Sequence, residues 1–423
     1  MRIIVAGGDG QMAQVGTVLR EPVVATVLDE GGKPTAGARV GWESEGDDRL
    51  LPEADATDER GQIRARWQLG TMEGRRMARA TLPGLVAAEF TAVAQPAESP
   101  EVLPLGQIAA LDFATYDGSR QVVHPDYAET PAGAFGSPLH LAITPYPFGN
   151  AAFENPSLFE GARPDRWDLP VGAPNPVVLP DVGYLSDPDL VYVPEAQELW
   201  LYYRQVTSSN IVRLVRTHDG VIWSAPVEVA RAPNHRLISP SVVRRARGDW
   251  WMFSVDAGSV GCSAVATTVE VRRSADGLTW GDPVTAALTQ SGLWAWHIDV
   301  QWIAARNEFW AVYNVKTEGS CTTPAVYIAS SADGVSWDVA PGAVMVKGTA
   351  RELQDIVYRT TFAYDPAADA ITFWYSGARF TDGQYRWGAA VQRRLRQDIF
   401  SESRASLDPR SLPPAPAPLE DWP

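Results

Sequence analysis

Ser274-Ala275-Asp276-Gly277-Leu278-Thr279-Trp280 returns, 57 residues on, as Ser331-Ala332-Asp333-Gly334-Val335-Ser336-Trp337. A looser copy, Thr217-His218-Asp219-Gly220-Val221-Ile222-Trp223, stands 57 residues before the first, and Trp167, 56 residues before Trp223, marks a copy that has kept only its Trp. Spacing this regular marks a repeat protein. Asp-Gly is hairpin chemistry, because Gly accepts positive φ and Asp folds its carboxylate onto nearby backbone amides. Each copy therefore joins two antiparallel strands, and its Trp packs between sheets. A period of this length with no helical stretch inside it fits a four-stranded propeller blade better than a solenoid coil. Four copies and a fifth aromatic unit predict five blades.

The totals agree with aromatic-packed β-structure rich in turns: 423 residues, 45% hydrophobic, with 16 Trp, 35 Gly and 33 Pro. A formal charge of −15 argues against nucleic acid or an anionic membrane as the main partner. The apolar run after Met1-Arg2, Ile3 to Ala6, is too short for an export signal, and no run reaches about 18 apolar residues, so neither classical export nor membrane insertion is expected. Cys262 and Cys321 fall in the same loop of consecutive repeats. They are expected to be unpaired small hydrophobes, with a cross-blade disulfide as the alternative.

Four segments follow. Residues 1–95 read as a small β-sandwich of the immunoglobulin-like kind, from short alternating strands such as Val23 to Leu28 and Ile63 to Trp67 bounded by Gly turns. Residues 96–104, with three Pro, are a linker. Residues 105–400 form the propeller, with 105–116 supplying a strand that closes it by pairing with the last blade. The Pro-rich residues 401–423 are an extended arm. The expected fold is all-β, an Ig-like sandwich followed by a five-bladed propeller. Gly10-Gln11, the Asp29 to Val40 stretch with Pro34 and Gly37, and Thr57 through Gly70 resemble the bacterial Ig-like group 1 domains of invasin-type adhesins. That resemblance implies a spacer or display module of bacterial surface proteins and phage virions, with no chemistry of its own.

Aligning the inner strands stacks His124-Pro125-Asp126, Asp187-Pro188-Asp189, Ser239-Pro240-Ser241, His297-Ile298-Asp299 and Arg359-Thr360-Thr361. Residues i and i+2 of a strand face the same way, so each triplet sends two polar groups toward the propeller axis. Candidate ligand-binding residues are His124, Asp189, Ser239, Ser241, His297, Asp299 and Arg359, with Tyr146 and Trp296 as aromatic walls against which a sugar face could stack. Several carboxylates in one cleft shift one another's pKa, as an acid and base pair requires. His124, Asp126, His297 and Asp299 are a candidate site for a divalent cation such as Ca2+. The alternative is that the polar residues hold the blades together.

Five blades with Asp-Pro at inner-strand starts resemble the glycosidase superfamily of arabinanases, β-xylosidases and invertases, in which three carboxylates from successive blades act as base, pKa modulator and acid. Asp126 and Asp187 match the first two positions; blade three offers only serines where the acid belongs. Glu154, after the loop Tyr146-Pro147-Phe148-Gly149-Asn150, is the candidate replacement. Motifs including Glu154-Asn155-Pro156-Ser157, Tyr203-Arg204 and Trp296-His297-Ile298-Asp299 also resemble a propeller group found in phage and bacterial surface proteins. The expectation is a bacteriophage virion protein, such as a tail fibre or decoration, carrying a host-glycan-binding propeller on the particle surface. Its partners would be other virion structural proteins and a host glycan, with homo-oligomerisation in keeping with virion symmetry. The alternatives are a glycoside hydrolase or polysaccharide depolymerase using Asp126, Asp187 and Glu154, and a purely structural decoration protein.

Overall fold

The computed structural model describes residues 1–95, 103–131, 135–288, 292–317 and 321–401. Most of the stretch read as a linker and all but the first residue of the Pro-rich arm lie outside the described residues. The chain divides into two compact units, the second beginning at Val102.

The first unit is a sandwich of two four-stranded sheets. One has the order Arg2–Gly7, Val23–Leu28, Gln62–Gln68, Arg49–Pro52, and the other Gln11–Gln14, Ala88–Gln95, Gly74–Thr81, Gly41–Ser44. Ala88–Gln95 alternates buried and less buried positions along its whole length, as a strand with one face on a core must. Trp67 is fully buried, and its indole N–H donates to Asp48, whose carboxylate is paired with Arg76.

The second unit is a five-bladed β-propeller. The innermost strands are Val122–Glu129, Tyr184–Val193, Ile238–Ala246, Trp294–Ile303 and Ile356–Asp365, each leading an antiparallel sheet. In the fifth blade the outermost strand is Ile108–Leu111, which pairs antiparallel with Gln384–Leu395 and so joins the beginning of the unit to its end. Ser274 Oγ accepts the Gly277 N–H at 2.9 Å, and Asp276 Oδ1 accepts the N–H groups of Leu278 and Thr279 at 2.8 Å each. Asp333 and Asp219 make the same turn. Gly277 sits at φ +74°, and a Cβ there would lie 2.8 Å from the Tyr202 hydroxyl, so the motif's Gly is needed for space as well as torsion. Of the motif's tryptophans, Trp167 and Trp337 are buried and Trp223 and Trp280 half-buried.

Cys262 and Cys321 form a disulfide, with Cα atoms 5.0 Å apart. This corrects the expectation of free thiols: equivalent loops of adjacent blades are neighbours in space. Among the described residues no helix is long and apolar enough to cross a membrane.

Candidate active site

Three of the five inner strands begin in the same unusual way. His124, Asp187 and Ser239 have φ of +58°, +48° and +50°, each directly before a proline, and strand pairing shifts register at each of them. A left-handed non-glycine residue is costly, and such strain is retained where surrounding structure holds a functional side chain in place. A bulge re-aims the residue it carries. His297 is delivered by another bulge, between Ala295 and His297, where its backbone N–H donates to Asn314 Oδ1 at 2.6 Å.

The bulges separate the polar residues of the inner strands into two layers. In the first, His124, Asp187 and His297 converge, all buried. Asp187 Oδ1 lies 3.4 Å from His124 Nε2 and 3.1 Å from His297 Nδ1. Glu154, buried as well, places Oε2 3.5 Å from His124 Nδ1. This group lies against a cavity of about 570 Å³ whose wall includes Tyr146, Tyr184, Arg204, Trp296 and Tyr358. The cavity rim requires Gly183, at φ +72°, where a Cβ would lie 1.9 Å from the Val206 carbonyl oxygen.

The second layer is a ring of inter-blade fastenings. Asp126 Oδ2 accepts the Leu190 N–H at 2.7 Å, Asp189 Oδ2 accepts that of Val242 at 2.9 Å, and Ser241 Oγ accepts that of Val300 at 2.9 Å. Thr361 Oγ1 donates to Asp299 Oδ2 at 2.9 Å and accepts the Tyr127 N–H at 3.2 Å, which completes the circuit back to blade one. Arg359, fully buried, lies 3.1 Å from Asp126 and 3.8 Å from Asp189, and its Nη1 is 3.9 Å from Asp187 of the first layer. Burial, then the neighbouring carboxylates, push Asp126 and Asp189 well above the usual carboxylate range, and burial raises Asp299.

Several site expectations are thereby corrected. Asp126, Asp189, Ser241, Asp299 and Arg359 belong to the fastening ring. Ser239, though in the first layer, accepts the Ile298 N–H at 3.2 Å and donates to the Ile298 carbonyl at 3.0 Å, so it ties blade three to blade four. The expected cation set of His124, Asp126, His297 and Asp299 is not assembled. Two other groups are, His124 with Asp187 and His297, and Asp126 with Asp189 and Asp299, the ligand atoms within each lying within 4.8 Å of one another. The three-carboxylate glycosidase set is also broken, since Asp126 lies in the other layer from Asp187 and Glu154. Tyr146 and Trp296 do stand in the cavity wall, nearly fully buried. Arg204 and Tyr358 went unread as site residues in the sequence: Arg204 projects from a second strand, Glu198–Val206, and Tyr358 is the neighbour of the residue the alignment selected.

Electrostatics separate the two layers further. Burial holds His124 well below the usual imidazole range and lowers His297, so both rings are neutral near pH 7. Burial raises Asp187, but Arg204, His124 and His297 together bring it well below the usual carboxylate range. Glu154 is pushed up to about 8, chiefly by burial, with the Asp187 charge adding to it. His124 Nε2, both ring nitrogens of His297, Asp187 Oδ1 and Glu154 Oε2 are buried without a hydrogen-bond partner of acceptable geometry. Buried polar atoms are normally satisfied, so five unmet atoms at one point make this cluster the candidate ligand site.

No family model matches the chain. Over 391 residues it is 26% identical to the A type blood N-acetyl-alpha-D-galactosamine deacetylase of Flavonifractor plautii, covering 79% of this chain and 49% of the relative; it thus spans about half the length of the curated protein it matches. In fold it is similar to the crystal structure of an N-acetylgalactosamine deacetylase from F. plautii in complex with blood group B trisaccharide, with a TM-score of 0.63, 23% identity and coverage of 71% of this chain and 98% of that one. A thermostable family-43 glycoside hydrolase matches with a TM-score of 0.50, 12% identity and coverage of 75% and 99%. These findings overturn the expectation of a phage virion display protein and favour the alternative of a carbohydrate-processing enzyme, because the likeness is to proteins that process carbohydrate. None of them supports a place in a virion.

Proposed function

We propose that the propeller is a carbohydrate-active amide hydrolase that removes an N-acyl group, of which acetyl is the simplest, from an amino sugar. The observation that carries this is the convergence of His124, Asp187 and His297, with unpaired buried atoms, beside Glu154 on the cavity. The sequence relative, a deacetylase of N-acetylgalactosamine, agrees with it.

His124, Asp187 and His297 suit a divalent transition metal. Neutral imidazoles and one carboxylate are the donors of a catalytic three-ligand site that leaves a position open. Asp187 Oδ1 stands 3.4 Å from His124 Nε2 and 3.1 Å from His297 Nδ1, close enough for one ion to be held by all three residues. Two imidazoles shift the choice away from Ca2+, which prefers oxygen. An ion held there would supply Lewis-acid activation of water and of the acyl carbonyl.

The chain's own residues do the remainder. In its ionised form, which predominates only above about pH 8, Glu154, buried beside His124, takes the proton from the attacking water and returns it to the nitrogen as the C–N bond breaks, leaving the free amine and acetic acid, which ionises to acetate. The Tyr358 ring lies 4.4 Å from that of His297 in the cavity wall, and its hydroxyl, which accepts the Trp296 indole N–H at 3.4 Å, is the candidate donor to the charge developing on the carbonyl oxygen. Trp296 and Tyr184 flank the sugar. We read the first unit, whose strand order matches the immunoglobulin-type sandwich, as a positioning module.

The test is acetate release from an N-acetylgalactosaminide by the metal-supplemented full chain. Glu154→Gln should lower kcat/KM by roughly 100-fold or more with the fold intact. Release of free sugar in place of acetate would refute amide hydrolysis in favour of glycoside hydrolysis.

A further inference from the structure

We propose that Arg204 forms a carboxylate-binding subsite in the same cavity, next to His124, Asp187 and His297. The side chain stands on Glu198–Val206, is 12% exposed, and lines the cavity. Its one ion pair is through Nε, 2.7 Å from Asp187 Oδ2. Neither Nη1 nor Nη2 donates a hydrogen bond to any described residue. A guanidinium carries five N–H donors in a rigid fork that fits a carboxylate with two parallel bonds. Here the fork end is the part left over.

The charge around it leads to the same conclusion. Arg359 is met at 3.1 Å by Asp126 and at 3.8 Å by Asp189, and reaches the upper layer only through Nη1, 3.9 Å from Asp187 Oδ1, so it adds a second cation to the one carboxylate that Arg204 also uses. Asp187 is shared between Arg204, through Oδ2, and the two imidazoles, through Oδ1. A cation on Oδ1 would draw further on that single negative charge and leave the guanidinium under-compensated in a buried place, where an unmatched charge is costly. Tyr184, Thr207 and Asn234, on the same cavity, bring polar groups and no countercharge, and the one other carboxyl that acts on Arg204 there, Glu154, is pushed up to about 8 by burial. An anion entering the cavity completes the pairing.

A carboxylate has two sources. One is the acid released by amide hydrolysis, held as it leaves; the other is a carboxyl substituent on the sugar, as in a uronic acid. The subsite rests on the placement of Arg204 and not on amide hydrolysis, so the two can fail separately.

The experiment is calorimetric titration of the metal-loaded full chain with sodium acetate and with sodium galacturonate at constant ionic strength, using galactose as the neutral control. Wild type should bind at least one carboxylate and bind it more tightly than galactose. Arg204→Gln should weaken that binding roughly tenfold or more. Arg204→Lys keeps a charge for Asp187 but loses the fork, so it should also bind less tightly than wild type, and it serves if the Gln variant does not fold. Metal content is measured on each variant. Acetate binding assigns the subsite to the released acid, and binding of galacturonate alone assigns it to a sugar carboxyl. The proposal is overturned if wild type binds neither carboxylate, or if the folded, metal-loaded variants bind as tightly as wild type.

Discussion

A serine two residues from a strained Asp-Pro-like turn can serve a ligand or a neighbouring strand, and hydrogen-bond direction distinguishes the two. Ser241 Oγ accepts the Val300 N–H at 2.9 Å, so removing the hydroxyl leaves a buried donor unmet. Ser241→Ala should therefore cost about 1–3 kcal/mol in urea denaturation, with kcat/KM unchanged. Unchanged stability with lost activity would return Ser241 to the site. The same accounting explains why Asp126 is a poor base, since Leu190 and Arg359 already occupy its oxygens. These assignments were only half legible in the sequence. Stepping by two along a strand correctly brought His124, Asp187 and His297 toward the axis. It also grouped Asp126, Asp189 and Asp299 with them, because a left-handed residue before proline leaves no period-two signal.

At the level of the element, the Ser/Thr-x-Asp-Gly-x-x-Trp hairpin was fully legible, because its side chains fold onto their own backbone and depend on nothing distant. The Cys262–Cys321 bridge was legible only as an alternative, since spacing brings the loops together but does not report oxidation. The hairpin at Asp369, φ +47°, shows what a turn carboxylate adds. It accepts from Arg396 Nε at 2.8 Å, Tyr364 Oη at 2.7 Å and Arg306 Nη2 at 3.2 Å, and the Arg396 bond leads in lowering it to about 2. A folded value below the unfolded one gives stability that is present above about pH 4 and lost as pH falls toward 2. Asp369→Asn should thus lower Tm at pH 6 by a small amount, given the exposure of the carboxylate, and the gap to wild type should close near pH 2. A gap that widens in acid would contradict this.

Over the whole molecule, the repeat fixed the architecture and the departures from the repeat made the site. Blades one, two and four contribute His124, Asp187 and His297, whereas blade three contributes a serine that fastens and blade five an arginine that neutralises. Arg204, legible only as part of a motif, and Tyr358 are not legible as site residues, because only tertiary packing brings a second strand and a residue outside the alignment to the cavity. The central claim is that the upper layer holds a divalent ion while the lower layer holds the blades. Metal content of the purified full chain after exposure to zinc or manganese and desalting tests it directly. The account predicts one equivalent in wild type, retained by the folded Asp299→Asn variant and lost from folded His297→Ala. Wild type without a bound ion, or an ion lost with Asp299→Asn and kept with His297→Ala, would contradict it.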